Sequence, residues 1–266
     1  MKQLRPYPQV IITKKAARAL AGGHPWVFEG EVIRMEPSPE CGERAQNGCI
    51  VDVFEENGTY QGTGLLSEMS KIRVRIVTRN ANDRLNEAFW SRKISWAWEH
   101  RKTTMGNRTL PGTEPDTNCC RVIFSEADGF PGLIVDRYEN VLVAQVGTVG
   151  MEHLRDAIYP LLLEVFSADG QVIDGIYERN DSPSRLKEGL SQYKGWWTGT
   201  FSDENDLIVE STLTLPSTHV LATENGLKFH LDLENSQKTG FFLDQKYNRR
   251  AVRQLARGRR VLDCFC

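Results

Sequence analysis

The chain has 266 residues, 40% of them hydrophobic and 26% charged, with 33 Lys and Arg against 35 Asp and Glu for a formal net charge of −2. That places it in the ordinary soluble class, with enough apolar content to bury two or three domain cores. No stretch approaches the roughly 18 apolar residues of a membrane span, and the N-terminus, MKQLRPYPQV, has no apolar signal core, so no membrane partner and a cytoplasmic address are expected.

Residues 1–78 read as a small β-rich module. A helix over Thr13–Leu20 opens on a Thr N-cap and is closed by Gly22-Gly23. Short strands follow at Trp26–Phe28, Cys49–Phe54, Tyr60–Leu66 and Ile72–Val77, with Glu56-Asn57-Gly58 as a hairpin turn. In the last strand the alternation puts Ile72, Val74 and Ile76 on one face and Arg73 and Arg75 on the other. A closed or half-closed barrel satisfies so many short strands.

Residues 79–200 form a second unit. The polar hinge Thr78–Asp83 precedes a helix over about Arg84–Thr104, in which Leu85, Phe89, Ile94, Ala97 and Trp98 recur near helical spacing. After the polar loop Gly106–Thr117 come strands at Arg121–Phe124, Gly132–Val135 and Val141–Val146, a helix over about Gly150–Phe166 and a strand at Gly175–Tyr177. This is an α+β pattern. In it, Arg179, Asp181, Arg185 and Glu188 are expected to form an internal ion-pair network.

Residues 201–266 change character again. Strands are expected at Leu207–Leu213 and Val220–Thr223, and Asn225-Gly226 turns the second of these into Leu227–Leu231 as a tight hairpin. A helix starts near Asp244 as N-cap, with Tyr247, Ala251, Val252, Leu255 and Ala256 on its apolar side, and stops at Gly258. The final residues, GRRVLDCFC, read as a buried strand ending at Asp263, the way a parallel sheet begins.

Charge is distributed unevenly. Residues 1–80 carry 11 Lys and Arg against 9 acids, residues 81–227 carry 13 against 22, and residues 228–260 carry 9 against 3. The basic C-terminal stretch suits a polyanion or an anionic cofactor tail, and equally a solvated helix face. The cysteines, Cys41, Cys49, Cys119, Cys120, Cys264 and Cys266, have spacings of neither a metal knuckle nor a disulfide scaffold. Free thiols in a reducing compartment, and no metal, are expected.

The densest chemistry lies in DLENSQKTGFFLDQKYNRR, residues 232–250, where Lys238-Thr239-Gly240 supplies a cation, a hydroxyl and a flexible backbone, and Phe241 and Phe242 supply flat apolar surfaces. That mixture fits a pocket, or a turn with two core aromatics. QKTGFFLDQ, then NRR, then RVLDCFC resembles the opening of the catalytic domain in the large-subunit (23S) ribosomal RNA cytosine-5 methyltransferase family. Further motifs agree in order. His24-Pro25-Trp26-Val27-Phe28 with Gly30-Glu31 resembles that family's N-terminal PUA domain, an RNA-binding barrel; the run Asp128–Tyr138 and the residues Glu178–Asp181, Arg185 and Glu188–Leu190 resemble its central α+β domain.

The resemblance implies a multidomain α+β and α/β protein: a PUA-like β-barrel, a central α+β domain and the beginning of a Rossmann-like methyltransferase domain. It implies S-adenosyl-L-methionine as cofactor, with Lys238, Thr239, Phe241, Phe242, Asp244, Gln245, Asp263 and Phe265 on the methyl-donor side, Asp263 orienting rather than acting as a base. The hairpin, the cationic bend and the final strand are expected to surround one shared hollow. The partner implied is ribosomal RNA, met through Lys14, Lys15 and Arg18 on one helix, His24 and Trp26 for stacking, and Arg73 and Arg75 extending the basic surface; a solvated helix beside a core Trp accounts for the same residues. Methylation at cytosine carbon five needs a thiolate that adds to carbon six. The family places that cysteine beyond position 266, so the chain is expected to be cut short at the start of its catalytic domain and inactive alone, with Cys266 a packing residue. A non-catalytic RNA-binding adaptor and a methyltransferase of another RNA base remain the alternatives, and no heptad argues for an oligomer.

Overall fold

The computed structural model describes residues 5–109, 116–199 and 216–264. The expected strand Leu207–Leu213, together with Phe265 and Cys266, lies outside the described residues.

The first unit is one six-stranded sheet in the order β2-β6-β5-β4-β1-β3. It is built from β1 (Gln9–Ile12), β2 (Trp26–Phe28), β3 (Val32–Glu36), β4 (Ile50–Glu55), β5 (Tyr60–Leu66) and β6 (Ile72–Thr78), with α1 (Lys14–Ala21) between the first two. Only β1 and β4 pair in parallel, and β2 and β3 remain edges, so the sheet is a half-barrel. Thr13 caps α1 by accepting a hydrogen bond from the Ala16 amide at 3.3 Å, as its position before the helix predicts. Ala16, Ala17 and Leu20 face inward onto Val10, Ile12, Val27, Val51, Val53 and Val74, which leaves Lys14, Lys15 and Arg18 exposed. Beneath the sheet, Arg5 donates to both oxygens of the fully buried Asp52 at 2.6 and 2.9 Å and to Thr63 at 2.7 Å. Breaking such a pair would strand a buried charge, which fixes the chain's path before β1.

The second unit is a five-stranded sheet in the order β11-β10-β9-β8-β7, from β7 (Cys119–Phe124), β8 (Leu133–Tyr138), β9 (Val141–Val146), β10 (Gly175–Asn180) and β11 (Tyr193–Trp196). The one-turn helix α3 (Ser125–Asp128) joins β7 to β8, and α4 (Val149–Ala168) makes the crossover between the parallel neighbours β9 and β10. The long helix begins at Glu87 rather than Arg84, because Asn86 caps it by accepting from the Phe89 amide at 3.1 Å; this is α2 (Glu87–Gly106). Helices α2 and α4 cover one face of the sheet through Phe89, Trp90, Ile94, Trp98, Ile158, Leu162 and Phe166. Leu65 and Val77 of the first sheet belong to the same apolar cluster, so the two units share buried surface.

The opposite face carries the hairpin β12 (His219–Glu224) and β13 (Leu227–Asp232), whose Ala222, Leu231 and the following Leu233 pack on Cys119, Tyr138, Val143 and Tyr177. Asn225 and Gly226 turn it with φ of 50° and 76°, both in the left-handed region of a type I′ turn. A 3-10 turn, Leu243–Gln245, leads into α5 (Lys246–Leu255).

Three expectations need correction. Asp244 sits inside the 3-10 turn and Gln245 occupies the cap position of α5, so the helix starts later than its acid suggested. On that helix only Lys246 is buried, while Val252 and Leu255 are 55% and 75% exposed, so the apolar stripe meets no core among the described residues. Residues 260–263 are not a strand, and Leu262 is 84% exposed: among the described residues no strand pairs with them to supply the ladder hydrogen bonds that such an apolar run needs.

Candidate functional site

The bend between β13 and α5 is held from beneath by the second sheet. Asp232 accepts from the amides of Glu234 and Asn235 at 3.0 and 3.1 Å, which starts the turn. Arg179 on β10 then donates to the carbonyls of Leu233 and Ser236 at 2.6 and 3.0 Å. Thr239 is 2% exposed; its hydroxyl donates to Asp136 on β8 at 2.5 Å and lies 3.1 Å from the Tyr138 hydroxyl. Tyr138 in turn accepts from the Phe241 amide at 3.0 Å. Arg121 on β7 grips the same Asp136 with two hydrogen bonds of 2.8 and 3.0 Å. Gly240, at φ of 148°, passes so close to Tyr138 and Leu233 that a β-carbon would lie 3.1 to 3.2 Å from them, which explains a glycine there.

Above this floor, Phe241 packs on Phe229, ring centroids 4.9 Å apart, with the Arg249 guanidinium 4.3 Å from its ring. Arg249 also forms a two-pronged pair with the buried Glu224, both contacts 2.6 Å. Lys238, Phe242, Asp244 and Gln245 point outward: the Lys238 ammonium lies 4.4 Å from the Phe242 ring and 3.6 Å from the Asp244 carboxylate. Asp263 is exposed as well.

The residues implied for the methyl donor therefore divide. Thr239 and Phe241 are spent on anchoring the bend. Lys238, Phe242, Asp244 and Gln245 present a cation, a ring, a carboxylate and an amide on one exposed rim, a donor set that fits one wall for an amino-acid moiety. Phe265 is outside the described residues. Three well-formed clefts among the described residues are lined by neither the bend nor residues 261–264, where a common hollow was expected. The bend is instead pressed onto the second sheet.

On the first unit, α1 offers Lys14, Lys15 and Arg18 to solvent, and the chain continues into a cluster of His24, Trp26 and Phe28 rings with centroids 5.7 to 6.4 Å apart. Arg73 and Arg75 do not extend that basic surface, because acids cover their face of β6. Arg73 pairs with Glu29 at 2.6 Å, and Arg75 is caught between Glu126 at 3.2 Å and Glu188 at 3.1 Å, its guanidinium 5.8 Å from the Trp26 ring. Trp26 also donates its indole N–H to Glu126 at 2.9 Å. Of the expected network in the second unit, Arg179 pairs with Asp181 at 3.1 Å, but Arg185 pairs with Glu152 at 2.9 Å and Glu188 with Arg75.

A cleft of about 990 Å³ lies between the C-terminal end of α2, the β12–β13 turn and α5. Its lining includes Arg108, Lys246, Tyr247, Arg250, Arg253 and Arg257, with Asp116 as the acid. Residue types alone did not single these out, although the basic excess over 228–260 pointed to the region. Among the described thiols, burial raises Cys49, pushes Cys120 up to about 12 and Cys119 further, while Cys41 and Cys264 are exposed on the surface. No cluster of potential metal ligands occurs among the described residues, and no described helix is long and apolar enough to cross a membrane.

A family model for PUA-like domains matches residues 10–79, and one for S-adenosylmethionine-dependent methyltransferases matches residues 208–266. The chain is 34% identical over 249 residues to ribosomal RNA large subunit methyltransferase I of Shewanella amazonensis, covering 94% of this chain and 55% of that protein. To the proteins of the same name from Alteromonas mediterranea and Photobacterium profundum it is 35% and 32% identical, over 97% of this chain and 56% and 57% of theirs. Among solved structures, a Streptococcus mutans protein described as an S-adenosylmethionine-dependent methyltransferase superposes with a TM-score of 0.63 at 18% identity, over 92% of this chain and 53% of that one. A second, described as a methyltransferase complexed with SAH, gives a TM-score of 0.64 at 17% identity, over 92% and 53%. The chain thus spans about half the length of the curated relatives it matches, and over that half it has the mixed α/β multidomain architecture of a PUA-like half-barrel joined to a methyltransferase-type fold.

Proposed function

We propose that the chain is the RNA-holding and cofactor-rim portion of an S-adenosylmethionine-dependent methyltransferase of large-subunit ribosomal RNA, acting in the cytoplasm on carbon five of a cytosine. One observation carries this reading: a PUA-like match at 10–79 and a methyltransferase match at 208–266 stand in one chain, which is 32–35% identical to relatives named ribosomal RNA large subunit methyltransferase I, while the cytosine carbon-five target rests on the sequence motifs. When bound, S-adenosylmethionine supplies an electrophilic methyl group. Lys238, Phe242, Asp244 and Gln245, with Asp263 and Phe265, would face it, while Thr239 and Phe241 hold the bend that carries them. Lys14, Lys15, Arg18, His24 and Trp26 would meet RNA.

Carbon-five chemistry requires an attacking thiolate. Cys119 and Cys120 are buried with raised thiols, and Cys264 lines none of the three clefts described above, so the 266-residue chain by itself is expected to bind RNA without transferring methyl. Labelled S-adenosylmethionine and unmodified large-subunit RNA provide the test. The chain alone should leave the RNA unlabelled, and a chimera joining it to the remaining part of the Shewanella amazonensis relative should label cytosine. Methyl transfer by the 266-residue chain would refute these roles, and label on another base would refute the cytosine assignment.

A further inference from the structure

We propose that the cleft between α2 and α5 is a second RNA-backbone site, separate from the outer face of α1. The inference rests on the reading that the chain's partner is RNA, and extends it to a surface which that reading does not use.

Charge is the first ground. The cleft's lining carries five cations, Arg108, Lys246, Arg250, Arg253 and Arg257, and among the described residues one acid. That acid is already spent: the Asp116 carboxylate accepts from the Asn225 amide at 2.7 Å and pairs with the Lys246 ammonium at 3.2 Å. The four arginines form no ion pair among the described residues, in contrast to Arg249 one turn away, whose partner is Glu224. Four guanidinium groups without an acid partner among the described residues repel one another around one concavity, and an anion bound there relieves the repulsion.

Geometry is the second. Arg250 donates one N–H to the Arg108 carbonyl at 2.7 Å, and Arg253 donates one to the Asn225 carbonyl at 3.0 Å. These tethers hold both groups at the cleft, and a guanidinium has five N–H donors, so most remain for phosphate oxygens. The Tyr247 ring stands between Arg108 and Arg250, 4.6 and 4.9 Å from their guanidinium carbons, a flat surface next to which an unstacked base can lie. Positions 246, 247, 250 and 253 lie on one face of α5, and Arg257 follows in the turn just past its end, so the helix and that turn lay their cations in a row along the cleft.

Size and charge sign select the ligand. A volume of about 990 Å³ exceeds what one phosphate fills. S-adenosylmethionine has one carboxylate to offer, but its sulfonium and ammonium leave it with a net positive charge, which four arginines repel. A nucleic-acid backbone gains on both counts, and its affinity depends on salt through the counterions it releases.

Fluorescence anisotropy of the 266-residue chain with a fluorescein-labelled RNA stem-loop tests this between about 50 and about 200 mM salt. The variant Arg253→Ala/Arg257→Ala, both positions exposed, is expected to bind on the order of tenfold more weakly and to lower the log–log salt slope by about 2. A charge-matched variant at exposed sites elsewhere, Lys187→Ala/Lys228→Ala, is expected to shift affinity by less than about twofold. Unchanged affinity and slope in the cleft variant, with binding lost in Lys14→Ala/Lys15→Ala/Arg18→Ala, overturns the second site and leaves the RNA reading standing. No binding by the unsubstituted chain overturns both. Circular dichroism melts of each variant confirm that the fold is intact.

Discussion

Replacing Thr239 by valine tests how the bend is held. The side chain keeps its volume and loses one hydroxyl, which donates to the Asp136 carboxylate at 2.5 Å in a site where both groups are buried. A hydrogen bond to a charged group contributes about 1.5 to 3 kcal/mol net, and its loss leaves the carboxylate one donor short, with Arg121 still in place. Thr239→Val should therefore cost about 2 kcal/mol, a factor of roughly 30 in the closed-to-open ratio of the bend. Tyr138→Phe strands the Phe241 amide and should cost about 1 to 3 kcal/mol. Because the Tyr138 hydroxyl lies 3.1 Å from Thr239, the double variant should fall short of the sum by at least about 0.5 kcal/mol. Urea melts give the global values. Trypsin cleavage after the exposed Lys238 reads the local opening, since cleavage tracks the open population when reclosing is fast. Thr239→Ser, which keeps the hydroxyl, should stay near the original on both measures. A valine variant within about 0.5 kcal/mol of the original, with unchanged cleavage, would show that the hydroxyl does not hold the bend.

Three further outcomes are expected. At the contact between the first two units, burial works against the Glu126 carboxylate, but hydrogen bonds from Ser125 and Trp26 and the charge of Arg75 hold it below its ordinary 4.5. Its contribution to stability is thus present above that value and lost as pH falls below it toward the folded-state pKa, so the gap between the original and Glu126→Gln in urea melts should shrink on acidification; a gap that widens in acid contradicts the pairing. Lys14→Ala/Lys15→Ala/Arg18→Ala should weaken RNA binding with little dependence on sequence and lower the salt slope by about 3, and an unchanged slope removes α1 from the RNA surface. With a thiol reagent, Cys41 and Cys264 should react in the folded protein while Cys119 and Cys120 react only in denaturant, since burial raises both of the latter.

Much of the fold was legible because it depends on local chemistry. Thr13, Gly22-Gly23, Glu56-Asn57-Gly58 and Asn225-Gly226 act within a few residues of themselves, and the structure places a cap, a stop and two turns there. Strands β1, β3 and β11 were missed because they are four or five residues long and carry little alternation; β3 and β11 are edges, where one neighbour suffices. The site was legible only in part. Sequence shows that Lys238 to Gln245 is rich in chemistry, but whether a hydroxyl faces a ligand or a buried acid depends on Asp136, about a hundred residues away. Arg73 and Arg75 looked outward by alternation, and only the second unit's arrival decides that acids cover them.

The run Asp128–Tyr138, which first signified no more than a resemblance, has a mechanical reading. It covers the last residue of α3, the turn after it and all of β8, the second half of the β7–α3–β8 hairpin, and both ends of that hairpin hold something. At the loop end, Asp128 accepts from the Phe124 amide at 2.6 Å and from Arg101, and Gly129 and Gly132 take φ of 77° and 84°, which sets the tight turn presenting Glu126 to Trp26 and Arg75 of the first sheet. On the strand body, Asp136 and Tyr138 hold Thr239 and Phe241. One rigid hairpin therefore fixes the half-barrel on one side and the exposed rim of the bend on the other. A substitution at its centre should disturb both surfaces together, whereas Glu126→Gln and Thr239→Val should each loosen only the end it touches, because the strand ladder between them has no freedom to transmit a small shift.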